Sequence, residues 1–193
     1  VFEKETVNAV GGQLYVANST AITASAWSGS HVSASDTTMS VANVSGFTGS
    51  YEGDGEILAL KKVSSTGFAT EYVLVQSASR NFPDSDSDFS GDLYVTRGYG
   101  ANDTFQDTSS FGDFANNSQS YEEGQVLVST GRIGTGYVRI NANPTDTTTP
   151  YIDIVERTGS SIYATELKVR LGDLSGLSSG LLYGNASPGF GLF

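Results

Sequence analysis

Side chains able to do chemistry are sparse in this chain, and the densest group of them is Asp84, Asp86 and Asp88, followed by Asp92. Carboxylates alternating along a turn can converge oxygens on Ca2+, which takes about six to eight such ligands. The spacing follows the opening of an EF-hand loop. It departs where Phe89 replaces the glycine after the third carboxylate, and where Val95 stands at the twelfth position instead of glutamate. These departures favour a solvated acidic loop between two strands. A Ca2+ site on Asp84, Asp86 and Asp88 is the alternative, and no other cofactor is expected.

The remaining candidates have structural readings beside the chemical ones. His31 is the single histidine, so any Ser-His-Asp arrangement must use it. No Gly-x-Ser-x-Gly elbow accompanies it, and in a serine-rich stretch it reads as a loop residue. The paired carboxylates of a glycosidase would come from Glu71, Asp92, Asp153 and Glu156. Cross-strand partners such as Lys62, Arg139, Arg157 or Lys168 account for the same residues. The stretch GRIGTG at 131–136 has phosphate-loop glycines but neither the Lys-Ser/Thr nor a following helix, so it reads as a turn. Tyr51, Tyr99, Tyr121 and Tyr151 lie near expected turns, where tyrosine suits contact with sugar or protein. Tyrosine is also an ordinary strand residue. The chain is not expected to be an enzyme.

The elements that must carry these residues are strands. Apolar runs are short, β-branched or aromatic, and bounded by Gly, Asp, Asn or Ser. Residues 1–35 form an N-terminal segment with one strand, at 13–17 after Gly11-Gly12, and an irregular stretch at 19–35 that holds Trp27 and His31. Residues 36–101 form a β module. Its strands turn through Ser64-Ser65-Thr66-Gly67, and a loop at 78–91 carries the aspartates. Residues 102–124 are a polar loop or linker in which Phe105, Phe111 and Phe114 require something to pack on. Residues 125–193 return to period-two alternation, with Tyr151, Asp153 and Val155 set against Ile152, Ile154 and Glu156. The fold class is mainly β: a small antiparallel barrel or sandwich-like module, then a second β-rich segment, with very little helix.

Composition narrows the partners. The chain has 193 residues, room for one domain or two small ones. Acidic residues number 21 against 10 basic, a net charge of −11, which opposes binding to phosphate backbones or to anionic lipid. Cysteine is absent, so disulfides and thiolate metal sites are excluded. No apolar run approaches the roughly 18–20 residues of a membrane-spanning helix. The chain opens on Val1 without a signal peptide and stops on GFGLF, which reads as a piece of a longer architecture.

Two sets of residues carry a resemblance. The first is Thr37, Thr38, Met39, Val41, Gly46 and Phe47; then Glu56, Ile57 and Leu58; then Glu71, Tyr72, Val73 and Val75; then Leu93, Val95, Thr96, Arg97 and Gly98. This pattern resembles a small β module of tailed-bacteriophage virion proteins. The second set is the stretches 136–159, 167–177 and 189–193, which are similar to segments of phage tail-fibre and minor tail proteins. The resemblance implies an extracellular, virion-borne structural protein that assembles with identical copies, as a trimer, and with other tail proteins. It also implies a share in attachment to a host glycan or protein. The alternatives are a carbohydrate-binding or adhesive β module and a self-polymerising filament subunit.

Overall fold

The computed structural model describes residues 7–10, 13–23, 31–50, 53–64, 67–100, 119–143, 146–177 and 189–193. Among them every regular element is a strand. In chain order these are β1 (Val7–Val10), β2 (Gln13–Val16), β3 (Ser19–Ala21), β4 (His31–Val32), β5 (Thr38–Val41), β6 (Ile57–Ser64) and β7 (Gly67–Arg80). They continue as β8 (Gly91–Thr96), β9 (Tyr121–Glu122), β10 (Val126–Ser129), β11 (Gly136–Asn141), β12 (Tyr151–Arg157), β13 (Thr165–Asp173) and β14 (Phe190–Leu192).

Six strands in the order β3-β10-β6-β7-β8-β5 form a nearly closed antiparallel barrel. Its seam is bridged between Ile22 and Val41. Two backbone bonds flank that bridge, Thr23 N–H to Ser40 O and Ala42 N–H to Ala21 O, each 2.9 Å. Closure removes the open edges that a flat six-stranded sheet would expose. The 14-residue β7 serves two neighbours. It pairs with β6 along its first part and with β8 along its second, and a register shift between Val75 and Ser77 bends it around the ring. Met39, Val41, Leu58, Leu60, Val73, Val75, Leu93, Val95 and Leu127 fill the interior. The short β4–β9 ribbon adds Val32 and Tyr121 to the same core.

The second sheet, here sheet A, has the order β1-β2-β11-β12-β13-β14. All its neighbours are antiparallel and follow each other in sequence, except that the whole barrel lies in the chain between β2 and β11. Sheet A is thus a meander into which a barrel is spliced. The barrel draws β3 and β10 from outside the 36–101 stretch, and sheet A draws β1 and β2 from the N-terminal segment.

The irregular stretch expected at 19–35 contains β3 and β4 instead. Ser19 and Thr20 are buried in β3, and such small polar residues give no alternation to read. The loop expected from residue 78 starts later, because β7 runs on to Arg80. Gly11, Gly12, Trp27, Tyr51, Phe105, Phe111 and Phe114 lie outside the described residues.

Candidate functional site

Asp84, Asp86 and Asp88 lie between β7 and β8 as expected, but their carboxylates do not converge. Among the described residues no group of three or more His, Cys, Asp or Glu is placed to hold a metal ion. A guanidinium gathers the loop's oxygens instead. Arg80 Nη2 donates to the carbonyls of Ser85 and of Asp88, the latter at 2.7 Å, and Nη1 donates to Pro83 O at 3.4 Å. Its Cζ lies 4.4 Å from the centroid of the Phe89 ring. The carbonyls a Ca2+ would share therefore already face a cation. Asp88 Oδ1 accepts from the Ser90 N–H at 2.9 Å, and hydrogen bonds from Ser90 hold its pKa below the usual carboxylate value.

Glu71, weighed from sequence as a catalytic carboxylate, is a structural clamp. Its side chain is fully buried and so, nearly, is that of Arg97. Oε1 accepts from Arg97 Nε at 2.8 Å and from the Gly98 N–H at 3.1 Å. Oε2 accepts from Arg97 Nη2 at 3.0 Å and from the Gln119 N–H at 2.9 Å. Arg97 Nη1 donates to the carbonyls of Ser33 and Asp36, each at 2.9 Å, and Nη2 donates to Gln119 O at 2.6 Å. One ion pair thus ties β7 and β8 to the chain after β4 and the chain before β9. The Tyr121 ring lies beside the guanidinium. Burial, and then the charge of Glu71, push its hydroxyl pKa well up.

The other sequence candidates are also paired. Asp92 Oδ1 accepts from Ser40 Oγ at 2.7 Å. Asp153, 1% exposed, accepts from Arg170 Nε at 2.6 Å and Nη2 at 2.8 Å, and from Arg139 Nη2 at 2.8 Å. Tyr151 sits under both guanidinium groups, with Arg170 Cζ 3.6 Å from its centroid. Glu156 pairs with Lys168 at 2.9 Å. Among the described residues Arg157 meets no carboxylate: its Nε and Nη2 donate to Thr130 O and Oγ1 at 3.1 and 2.8 Å, pinning sheet A to the barrel. Gly131 and Gly134 take positive φ in the expected turn. Tyr121 and Tyr151 are buried, and Tyr99 Oη donates to Ser160 O at 2.8 Å, so these rings serve packing rather than open contact. His31 is in β4.

Between the sheets lies a cleft of about 80 Å³, lined in part by Tyr15, Lys61, Thr70, Tyr72, Thr130 and Tyr137. Lys61 Nζ stands 4.9 Å from the centroid of the Tyr15 ring. Burial, aided by the nearby charge of Arg139, lowers its pKa to about 8. Burial also raises the hydroxyl pKa of Tyr15 and of Tyr137. Nothing in the sequence marks this joint, because its residues are far apart in the chain.

Sheet A is mainly polar on its inner face, where Val155 is a buried aliphatic exception, and mainly aliphatic on its outer one, where Lys168 meets Glu156 and Glu166. Tyr15, Tyr137, Arg139, Asn141, Tyr151, Asp153, Arg157 and Arg170 occupy the inner face. The strand register sets two aliphatic rows across the outer face. One runs Val16, Val138, Ile154, Val169; the other runs Leu14, Ile140, Ile152, Leu171, Leu192. Ile154 is 47% exposed, Leu171 54% and Leu192 72%. An open groove of about 440 Å³ crosses the first row beside Glu156 and Lys168. Alternation in β12 was readable beforehand; which of its faces turns outward was not. Comparison of the chain with protein-family models, with curated proteins and with solved structures finds no match.

Proposed function

We propose that this chain is a structural component of a bacteriophage tail, a tail fibre or minor tail protein, that assembles with identical copies and contributes to host attachment. The observation that carries the reading is that the residues bearing the resemblance act together. Met39, Val41, Phe47, Leu58, Val73, Val75, Leu93 and Val95 belong to one barrel core, and Glu71, Arg97 and Gly98 meet in one buried clamp. A pattern whose members pack as a unit is a module rather than a chance run of strand residues. In this reading the protein resides in the virion. Its partners are copies of itself, neighbouring tail proteins and a host surface glycan or protein, and its net charge of −11 keeps it from nucleic acid.

Immunogold labelling tests the reading. Antibodies raised against the purified chain are applied to tailed particles induced from the genome that encodes it. Gold on the tails is the expected result. Gold absent from intact particles, with the chain found only in particle-free fractions, refutes the assignment.

A further inference from the structure

Sheet A is inside out for a lone chain. A sheet with one face against a protein body and one against water turns its aliphatic residues toward the body. Here the body side holds three arginines, an aspartate, an asparagine and three tyrosines beside the aliphatic Val155, the polar groups held by burial, an ion pair or ring contact. The water side holds the two aliphatic rows. Of the eight large hydrophobics that stand exposed among the described residues, five belong to this sheet: Ile152, Ile154, Leu171, Phe190 and Leu192. Single exposed hydrophobics need no explanation, but a contiguous field of them marks an interaction surface.

We propose that this outer face is the seam by which one copy of the chain packs on another, sheet against sheet. The inference rests on the homo-oligomeric part of the reading above and names its surface. The longer row spans five strands, β2 to β14, about 19 Å across at strand spacing, and the two rows stand about 7 Å apart. With side-chain relief each copy covers several hundred Å², so the pair approaches the roughly 1,200 Å² at which stable interfaces begin. The rows offer no side-chain hydrogen-bond donor or acceptor, so the surface that covers them must be aliphatic too, and a sheet presenting matching rows fits it best. Among the described residues that surface is this same face. Stacked sheets about 10 Å apart interdigitate such rows. Charge permits the contact as well. Chains of net charge −11 repel each other, yet the rows themselves carry no charge: Lys168 bridges Glu156 and Glu166 at one corner, and Asp173 stands past Leu171 at the other end of β13.

Light scattering across a concentration series tests the seam. The expected mass is twice 20.2 kDa or a higher whole multiple of it. The double variant Ile154→Lys, Leu171→Lys is expected to fall to the single-chain mass while keeping the far-UV spectrum and cooperative melting of the folded protein. A second variant does not depend on that one folding. The chain has no cysteine, so Ile152→Cys introduces a lone thiol in the seam, and oxidation should link copies through it far faster than through Tyr94→Cys on the barrel exterior. A wild type that stays at 20.2 kDa, or a folded double variant that stays assembled, overturns the proposal. A single-chain mass leaves the tail assignment standing, because gold on particles reads that separately. An assembled wild type that the lysines dissociate keeps the seam even where gold is absent from tails.

Discussion

Replacing Arg97 with methionine strands Glu71. The carboxylate is fully buried and would lose its two contacts to the guanidinium, leaving it with neutral donors such as the N–H groups of Gly98 and Gln119. Removing one member of a buried pair costs about 3–5 kcal/mol, because the other charge stays in low dielectric. The carbonyls of Ser33, Asp36 and Gln119 lose their donor in the same step. For a chain of this size each kcal/mol lowers Tm by about 2–4 °C, so the expected fall is roughly 6–20 °C. Urea unfolding followed by far-UV circular dichroism measures it, with a lower midpoint at unchanged slope. The companion variant Glu71→Gln, Arg97→Met removes the stranded charge. It should recover at least about 1 kcal/mol relative to Arg97→Met alone, since residues in contact are not additive. A loss under about 1 kcal/mol for Arg97→Met, or strict additivity in the double variant, would refute the clamp argument.

Lys61 has a folded pKa of about 8 against an ordinary 10.5, so between those values the unfolded chain binds more protons and stability rises with pH. Lys61→Met should therefore stabilise the protein by about 3 kcal/mol at neutral pH, with the gain disappearing toward pH 10.5 in melts run at several pH values. Above about pH 10 the sign reverses, because the raised pKa values of Tyr15, Tyr121 and Tyr137 make the folded chain the better proton binder there. Millimolar CaCl2 should leave Tm unchanged, since Arg80 already holds the carbonyls of the aspartate loop; a rise abolished by Asp86→Asn would overturn that account. A Cβ on Gly136 would stand 1.8 Å from Val155 O, so Gly136→Ala must push β11 from β12. The expected cost is about 1–3 kcal/mol by urea unfolding, and a neutral result would show that the pair opens freely.

Much of the barrel was legible because its strands obey simple rules. Met39, Val41, Val73, Val75, Leu93 and Val95 alternate within short runs, and period two is enough to call them strands with one face inward. Strands β3 and β4 were hidden, since Ser19 and Thr20 bury hydroxyls without an apolar signature. The ion pairs were legible in part. Arg139 partners Asp153 because adjacent strands bring them level, whereas Lys168 reaches Glu156 from the register irregularity between β12 and β13, where Glu156 itself lies opposite Glu166. Arg97 was not named as the partner of Glu71, because the pairing depends on the bulge in β7 and on the chain before β9. Arg157 spends its charge on Thr130 carbonyl and hydroxyl groups of the other body, a choice that only tertiary structure makes. The polarity of sheet A was the least readable feature: alternation tells that two faces differ, not which one meets the barrel.

The splice between β2 and β11 has a mechanical consequence. The two strands are joined by a ladder in which Gln13 lies opposite Asn141 and Val16 opposite Val138. A pull that has stripped β1 on one side and β12 to β14 on the other reaches Gln13 and Asn141, at the same end of that ladder. The rungs then open one after another, as a zipper does, rather than resisting together in shear. Until the last rung parts, the barrel carries no load. Once it parts, the chain between Val16 and Gly136 enters the line of force and can pay out roughly 400 Å as it extends. The protein is therefore a fuse in series with a spool: it yields early, and then lengthens instead of breaking.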